Sequence, residues 1–272
     1  MHTLLVVQSR TMLGGLFAEI AALRARGEIA ALATVVGAKG STPAKPPARM
    51  LVRADGTVLG TVGGGCVEAD VIRAARDAMD TGRCRRISFR LAGEEAERTG
   101  IACGGTLEIM IESLEDPRVV LIGAGHVAEA VARLAARTGF TVWVADDRPD
   151  YANTARFPDA QKLVVAPLHT FESQLQLTPR TSLLIMTRGH AEDFSVLQWA
   201  LLAPCKHIAV LGSRKKRLDF EAALAHDAER SVQMRKVRMP AGLDIAAESV
   251  EEIAVAIVAE LVQLRRKDGS LA

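Results

Sequence analysis

Residues 119–135 read VVLIGAGHVAEAVARLA. The apolar run Val119–Ile122 stops at Gly123-Ala-Gly-His-Val-Ala128, and a helical pattern follows from Val127 to Arg137. Strand, glycine turn and helix in that order make a dinucleotide-type fingerprint. Gly123 allows the tight turn, Gly125 lets a pyrophosphate approach the backbone, and small Ala128 allows close helix–strand packing. Amides at such a helix start, from Gly125 and His126 onward, are suited to a phosphate. Asp146 closes the next apolar run about 20 residues further on, the spacing of a ribose-binding acid. Arg148 is placed either to contact a phosphate or to cap a neighbouring loop.

Working outward, apolar runs recur at Thr141–Ala145, Leu163–Val165, Leu183–Met186 and Ile208–Leu211, with helical segments between several of them. Such alternation predicts a parallel sheet with right-handed crossovers. Ser249 and Glu252 form a capping box that opens a last helix, running to about Arg266. Thr187-Arg188-Gly189-His190 follows the fourth strand of this set, and Gly212-Ser213-Arg214-Lys215-Lys216-Arg217 follows the fifth. In open parallel sheets that edge carries the ligand crevice. Arg188, His190, Ser213 and Arg214 are therefore candidate binding residues, and the basic run points to an anionic ligand. The alternative reading of Lys215–Arg217 is a solvated, charged helix start.

A fingerprint this far along the chain leaves about a hundred residues ahead of it. There Leu13–Arg26 has Leu16, Phe17, Ile20 and Leu23 at helical spacing. Ile29–Val36 reads as a buried strand, and Met50–Arg53 with Thr57–Val62 as a hairpin turning at Asp55-Gly56. Val67–Met79 reads as a helix, and Arg86–Leu91 and Thr106–Ile111 as strands. The predicted fold class is α/β: a small N-terminal α/β domain over 1–113, a linker at Leu114–Pro117, and a Rossmann-like doubly wound parallel-sheet domain over 118–272.

The first domain carries its own signals. Gly63-Gly64-Gly65 before a helix makes an amide nest suited to an oxyanion, and Glu68 in the first helical turn suits the dipole there. Plain helix capping after a hairpin is the competing reading. Cys103, before Gly104-Gly105, reads as a loop thiol, and Cys66 stands at a helix entrance, where thiol pKa values fall. Either suits a metal or a sulfur atom; Cys84 and Cys205 read as structural.

Composition limits the classes. The chain has 272 residues, 49% hydrophobic and 24% charged, with a net charge of +2 and 4% aromatics. Those values fit a folded protein and argue against nucleic-acid or membrane-surface binding. The short apolar run in MHTLLVVQSR falls below a signal h-region, and no stretch approaches a membrane span. Four widely spaced cysteines without a CxxC pair speak against a zinc site or disulfide framework and fit a reducing cytoplasm. GxxxxGK[ST], HExxH and GxSxG are all missing, so binding groups stand without an obvious catalytic set.

Taken in order, the blocks resemble the xanthine dehydrogenase accessory (XdhC/CoxI) family. They are TVVGAKGSTP at Thr34–Pro43, ARMLV at Ala48–Val52, GTVGGGCVE at Gly60–Glu68, ACGG at Ala102–Gly105, and VVLIGAGHVAEAVARLA at Val119–Ala135. VADDRP at Val144–Pro149, MTRGHAED at Met186–Asp193, LGSRKKR at Leu211–Arg217 and PAGLDIAAESVEEIAVAIVAEL at Pro240–Leu261 complete the series. The resemblance implies a chaperone, not an enzyme. It would bind the molybdenum cofactor (molybdopterin or its dinucleotide form), protect it, and support insertion of the sulfurated form into a molybdenum hydroxylase client. The implied binding groups are Gly63, Gly64, Gly65, Glu68, Cys103, Gly104, Gly105, Gly123, Gly125, His126, Asp146, Arg188, His190, Ser213 and Arg214, with Cys103 meeting molybdenum or its sulfur. These groups are expected to face a common cleft, within one chain or across a dimer. A cysteine desulfurase is an expected partner, and the apolar last helix an expected homodimer surface. One departure stands out: after Gly40-Ser-Thr-Pro43 the family commonly has Arg and then Gly, where this chain has Ala44-Lys45-Pro46-Pro47. Lys45 restores a positive charge, while two prolines remove amide donors. The competing class is an NAD(P)-dependent oxidoreductase built on Gly123–Ala128 and Asp146.

Overall fold

The structure is a computed structural model that describes residues 12–91, 104–205 and 207–268. It divides into two compact units with the boundary between Glu115 and Asp116, the second running to Lys267.

The first unit is built on a five-stranded antiparallel sheet in the order β3-β2-β1-β5-β4. Its strands are β1 Ala30–Lys39, β2 Arg49–Arg53, β3 Val58–Gly60, β4 Arg85–Arg90 and β5 Thr106–Ser113. The Asp55-Gly56 signal does turn β2 into β3, with Val52 opposite Val58. Asp55 holds the turn by accepting from the Thr57 amide at 2.9 Å. Alternation along central β1 sends Ala31, Ala33 and Val35 to one face, where they pack on Val67, Val71, Ala75 and Ala78 of helix α2, Gly65–Thr81. Ala30 and Leu32 face the other way, onto Leu16 and Leu23 of helix α1, Met12–Arg26. Each buried Val or Leu among them contributes about 1.5–3 kcal/mol, so the two stripes fix both helices to the sheet. Phe17, expected on the inner stripe of α1, is instead 51% exposed. It follows Leu16 by one residue, a rotation of about 100°, and the Arg49 guanidinium covers its ring at 5.6 Å.

The second unit is a six-stranded parallel sheet in the order β11-β10-β9-β6-β7-β8. Its strands are β6 Arg118–Ile122, β7 Thr141–Asp146, β8 Lys162–Val165, β9 Thr181–Ile185, β10 His207–Val210 and β11 Val237–Arg238. Taken from β8, this is the doubly wound order in which the chain reverses direction across the sheet between β6 and β9. Val119 and Leu121 of β6 face Ala128, Val131 and Ala135 of helix α3, His126–Arg137. Val120 and Ile122 face a second core with Val196 and Leu197 of helix α5, His190–Ala200, and Phe220 of helix α6, Arg214–Ala223. Short helices α4, Phe171–Gln174, and α7, Ala228–Gln233, fill connections.

Helix α8, Val250–Asp268, opens on the expected capping box. Ser249 Oγ accepts from the Glu252 amide at 3.2 Å, and Glu252 accepts from the Ser249 amide at 2.9 Å. The apolar stripe of α8 (Ala254, Ile257, Val258, Leu261) lies in the unit's own core. The dimer surface expected of this helix is therefore not carried by that stripe. Among the described residues no helix is long and apolar enough to cross a membrane.

Candidate functional site

In the first unit three loops meet at one end of the sheet. A Cβ at Gly105 would lie 2.3 Å from Ser41 O and 2.5 Å from Lys39 O, and one at Gly63 would lie 2.9 Å from the Pro43 ring. The loop of Gly40–Pro43, the Gly63–Gly65 turn and Gly104–Gly105 are thus in direct contact, and glycine is required for that approach. Gly63, Gly64 and Gly65 all have positive φ, at 137°, 77° and 59°. The amide turn they form is filled from within. Glu68 Oε1 accepts from Thr61 Oγ1 at 2.5 Å, from the Val62 amide at 3.3 Å and from the Gly64 amide at 3.1 Å. The nest expected to take a ligand oxyanion thus holds a carboxylate three residues into its own helix.

Open backbone remains beside it, since a Cβ at Gly64 or Gly104 would meet no heavy atom of the described residues within 4 Å. Cys66 is exposed at the entrance of α2. Lys45 is also exposed, on the turn where its carbonyl accepts from the Ala48 amide at 2.9 Å. Cys103, the expected molybdenum or sulfur contact, lies outside the described residues. Cys205 is buried, and burial pushes its thiol up to about 11; burial also raises Cys84.

In the second unit the crevice lies where the sheet order reverses. Gly123 carries φ 103°, and a Cβ there would sit 2.2 Å from Met186 O and 2.9 Å from Thr187 Cα. It is the place where the loops after β6 and β9 touch. A Cβ at Gly125, by contrast, would meet no heavy atom of the described residues within 4 Å. Gly125 caps α3 in an extended conformation and His126 is exposed. A small depression here is lined by Gly123, Asp146, Arg148, Leu168, Thr187 and Arg188.

Asp146 is 4% exposed. Its carboxylate accepts from the Ala124 amide at 2.7 Å, the Arg148 amide at 3.0 Å, Arg148 Nε at 2.8 Å and Arg148 Nη2 at 2.9 Å. Burial by itself raises the Asp146 pKa, but the Arg148 fork and the two amides outweigh it and hold the group below the usual range. Arg148 thus turns inward onto Asp146, and its guanidinium stacks 3.8 Å over the Tyr151 ring.

Arg188 bridges Asp147 at 2.9 Å and Glu192 at 3.0 Å. His190, exposed at the start of α5, sets its ring edge-on to Phe220 at 4.8 Å. Ser213 caps α6 by accepting from the Lys216 amide at 3.2 Å, and Arg214 points outward with a side chain 85% exposed. The reading of Lys215–Arg217 as a solvated helix start does not hold throughout. Arg214 and Lys215 are exposed. Lys216, however, turns inward to pair with Asp193 and to donate to Leu211 O at 3.1 Å. Arg217 donates to Val237 O at 2.7 Å, tying α6 to the short edge strand. Sequence reasoning missed Asp193, whose only signal is an acid in the first turn of a helix. It also missed Arg156, which donates to Ala124 O at 2.8 Å and to Glu129 at 2.9 Å behind the glycine loop. Among the described residues no three His, Cys, Asp or Glu side chains are grouped to hold a metal ion.

Residues 119–261 match the family described as the XdhC Rossmann domain, and residues 23–90 match the XdhC and CoxI family. The chain belongs to the XdhC and CoxI family. The two matched stretches of this XdhC/CoxI protein contain the Gly63–Glu68 turn and the whole second-unit crevice, while Gly104-Gly105 falls between them. It is 35% identical over 253 residues to the uncharacterized protein YqeB of Escherichia coli (strain K12), covering 92% of this chain and 46% of YqeB. It is 34% identical over 165 residues to a Bacillus subtilis (strain 168) protein named as a probable xanthine dehydrogenase subunit, covering 60% of this chain and 47% of that protein. The chain thus spans about half the length of both relatives. It is 25% identical over 274 residues to the molybdenum cofactor insertion chaperone PaoD of Escherichia coli (strain K12), covering 88% of this chain and 84% of PaoD. In fold it is similar to a crystal structure of a xanthine dehydrogenase from Bacillus halodurans, with a TM-score of 0.51, 23% identity, and coverage of 92% and 95% of the two chains.

Proposed function

We propose that this XdhC/CoxI protein is an accessory factor of molybdenum-enzyme maturation that carries the molybdenum cofactor as cargo. It protects the cofactor and supports its sulfuration and insertion into a molybdenum hydroxylase such as xanthine dehydrogenase. It works as a cytoplasmic homodimer, with sulfur drawn from a cysteine desulfurase. The observation that carries this reading is the likeness to PaoD, named as a molybdenum cofactor insertion chaperone, over 88% of this chain and 84% of PaoD. The chemistry of the first unit supports it. Soft thiols pair with the soft molybdenum–dithiolene end of such a cargo, and Cys66 offers an exposed thiol beside the approachable backbone of Gly64. Cys103 brings a second thiol next to Gly104 in sequence. The Glu68 carboxylate repels a phosphate from the amide turn, so this end suits the molybdenum and sulfur end of the cargo.

The test is to purify the full chain from a molybdenum-competent host and measure molybdenum and oxidised pterin fluorescence. Wild type should carry both; Cys66→Ala or Cys103→Ala should retain less and activate a client hydroxylase less. Wild type free of pterin, or both variants equal to it in pterin and in activation, overturns the reading.

A further inference from the structure

The dinucleotide fingerprint raises a question that the family assignment leaves open, namely whether the Rossmann unit takes a nicotinamide nucleotide. In a dinucleotide-binding sheet the acid at the end of the second strand must accept from the ribose hydroxyls, and the glycine-loop amides must face the ligand. Both conditions need free hydrogen-bonding capacity. An ionised carboxylate has about four lone-pair positions. In Asp146 each oxygen already accepts two N–H donors: Oδ1 takes the Arg148 amide and Nε, and Oδ2 takes the Ala124 amide and Arg148 Nη2. The Ala124 amide belongs to the glycine loop itself. The acid and the loop that would grip the nucleotide from two sides are thus bonded to each other.

The arrangement is held from behind. Arg148 presents a planar fork to the carboxylate, a paired charge-assisted geometry, with its guanidinium over Tyr151 at 3.8 Å. Arg156 grips the other side of the loop through Ala124 O at 2.8 Å. In front, Arg188 spans Asp147 and Glu192. A ribose diol entering here has to displace bonds that are stronger than the neutral ones it offers in return.

We propose that Asp146 and Arg148 form an internal lock that excludes NAD from the Rossmann crevice, with Arg148 as the specificity-determining residue. The sequence spacing that marks a ribose clamp is retained, while the residue two positions later consumes it. This exclusion is independent of the cargo reading for the first unit.

Titration calorimetry of the full chain with NAD tests the lock. Wild type should give no saturable heat with NAD at about 1 mM. Arg148→Met removes the fork and the guanidinium stacked on Tyr151, freeing two acceptor positions on Asp146. It should bind NAD tighter than wild type by about tenfold or more, the effect of one regained charged hydrogen bond. Adding Asp146→Ala to that variant should abolish the gain. Micromolar binding by wild type overturns the proposal, and so does a folded Arg148→Met that gains nothing. Near-ultraviolet circular dichroism checks the fold. If Arg148→Met does not fold, Arg148→Gln, which keeps a polar contact but not the fork, is read against the same two outcomes.

Discussion

Lys216 of α6 and Asp193 of α5 form an ion pair at the sheet edge, with their side chains 14% and 3% exposed. The other Asp193 oxygen accepts from the Thr187 amide at 2.8 Å and from Thr187 Oγ1 at 2.6 Å. One carboxylate therefore ties the loop after β9 to the helix after β10, and so shapes the crevice rim without facing a ligand. Removing one partner of a buried pair leaves the other charge without compensation. Lys216→Met should cost about 3–5 kcal/mol in urea unfolding, and Lys216→Met with Asp193→Leu should recover much of that loss. A single variant as stable as wild type would show that water already reaches the pair.

The two glycines of the fingerprint should behave oppositely. Gly123→Ala places a methyl against Met186 O at positive φ, so it should lose several kcal/mol or fail to fold. Gly125→Ala meets open space at φ −72° and should leave stability unchanged or raise it by about 0.4–1 kcal/mol. Gly125→Val should also fold, while blocking whatever approaches the backbone there. Thermal unfolding of the three variants compares them; equal losses at positions 123 and 125 contradict the packing argument.

Glu68 is predicted to hold the first unit's glycine turn. Glu68→Ala leaves the Val62 and Gly64 amides without their acceptor, at a cost of about 1–3 kcal/mol. Hydrogen exchange at these two amides should quicken in the variant. Unchanged exchange would mean that the turn stands without the carboxylate.

Acid should weaken the second unit through its buried carboxylates. Asp146 and Glu260 are both held below their ordinary values: burial raises each, but Arg148 and amides outweigh it for Asp146, as His207, the Gly242 amide and Arg238 do for Glu260. His207 Nε2 stands 3.7 Å from Glu260, beyond hydrogen-bond length. A lowered folded-state pKa gives stability that is complete above the unfolded value of about 4 and is lost as pH falls through the folded one. Asp146→Asn should accordingly be less stable than wild type at about pH 6 and differ less from it at about pH 3. Urea midpoints at the two pH values decide the matter; a gap that widens in acid contradicts the linkage.

Much of the fold was legible because its signals are local. The Val119–Ala135 run announces strand, turn and helix through a continuous apolar run, a glycine turn and then helical spacing. Asp55-Gly56 turns a hairpin, and Ser249 with Glu252 starts a helix, through bonds between residues a few positions apart. Two-residue β11 was not legible: it is too short for periodicity and exists only because β10 offers it a parallel edge.

For the candidate sites, the sequence by itself determined which residue types stand at which strand ends: glycines at 63–65, 123 and 125, an acid at 146, and basic residues at 214–217. Tertiary structure alone decided what those groups bond to. Glu68 folds back into the amide turn, Arg148 takes all the capacity of Asp146 that Ala124 leaves, and Lys216 finds Asp193 across the sheet edge. The physical reason is that a polar group removed from water must take the nearest geometrically suitable partner. Periodicity can place such a group at an edge, but which partner reaches it depends on how loops from separate strands are brought together.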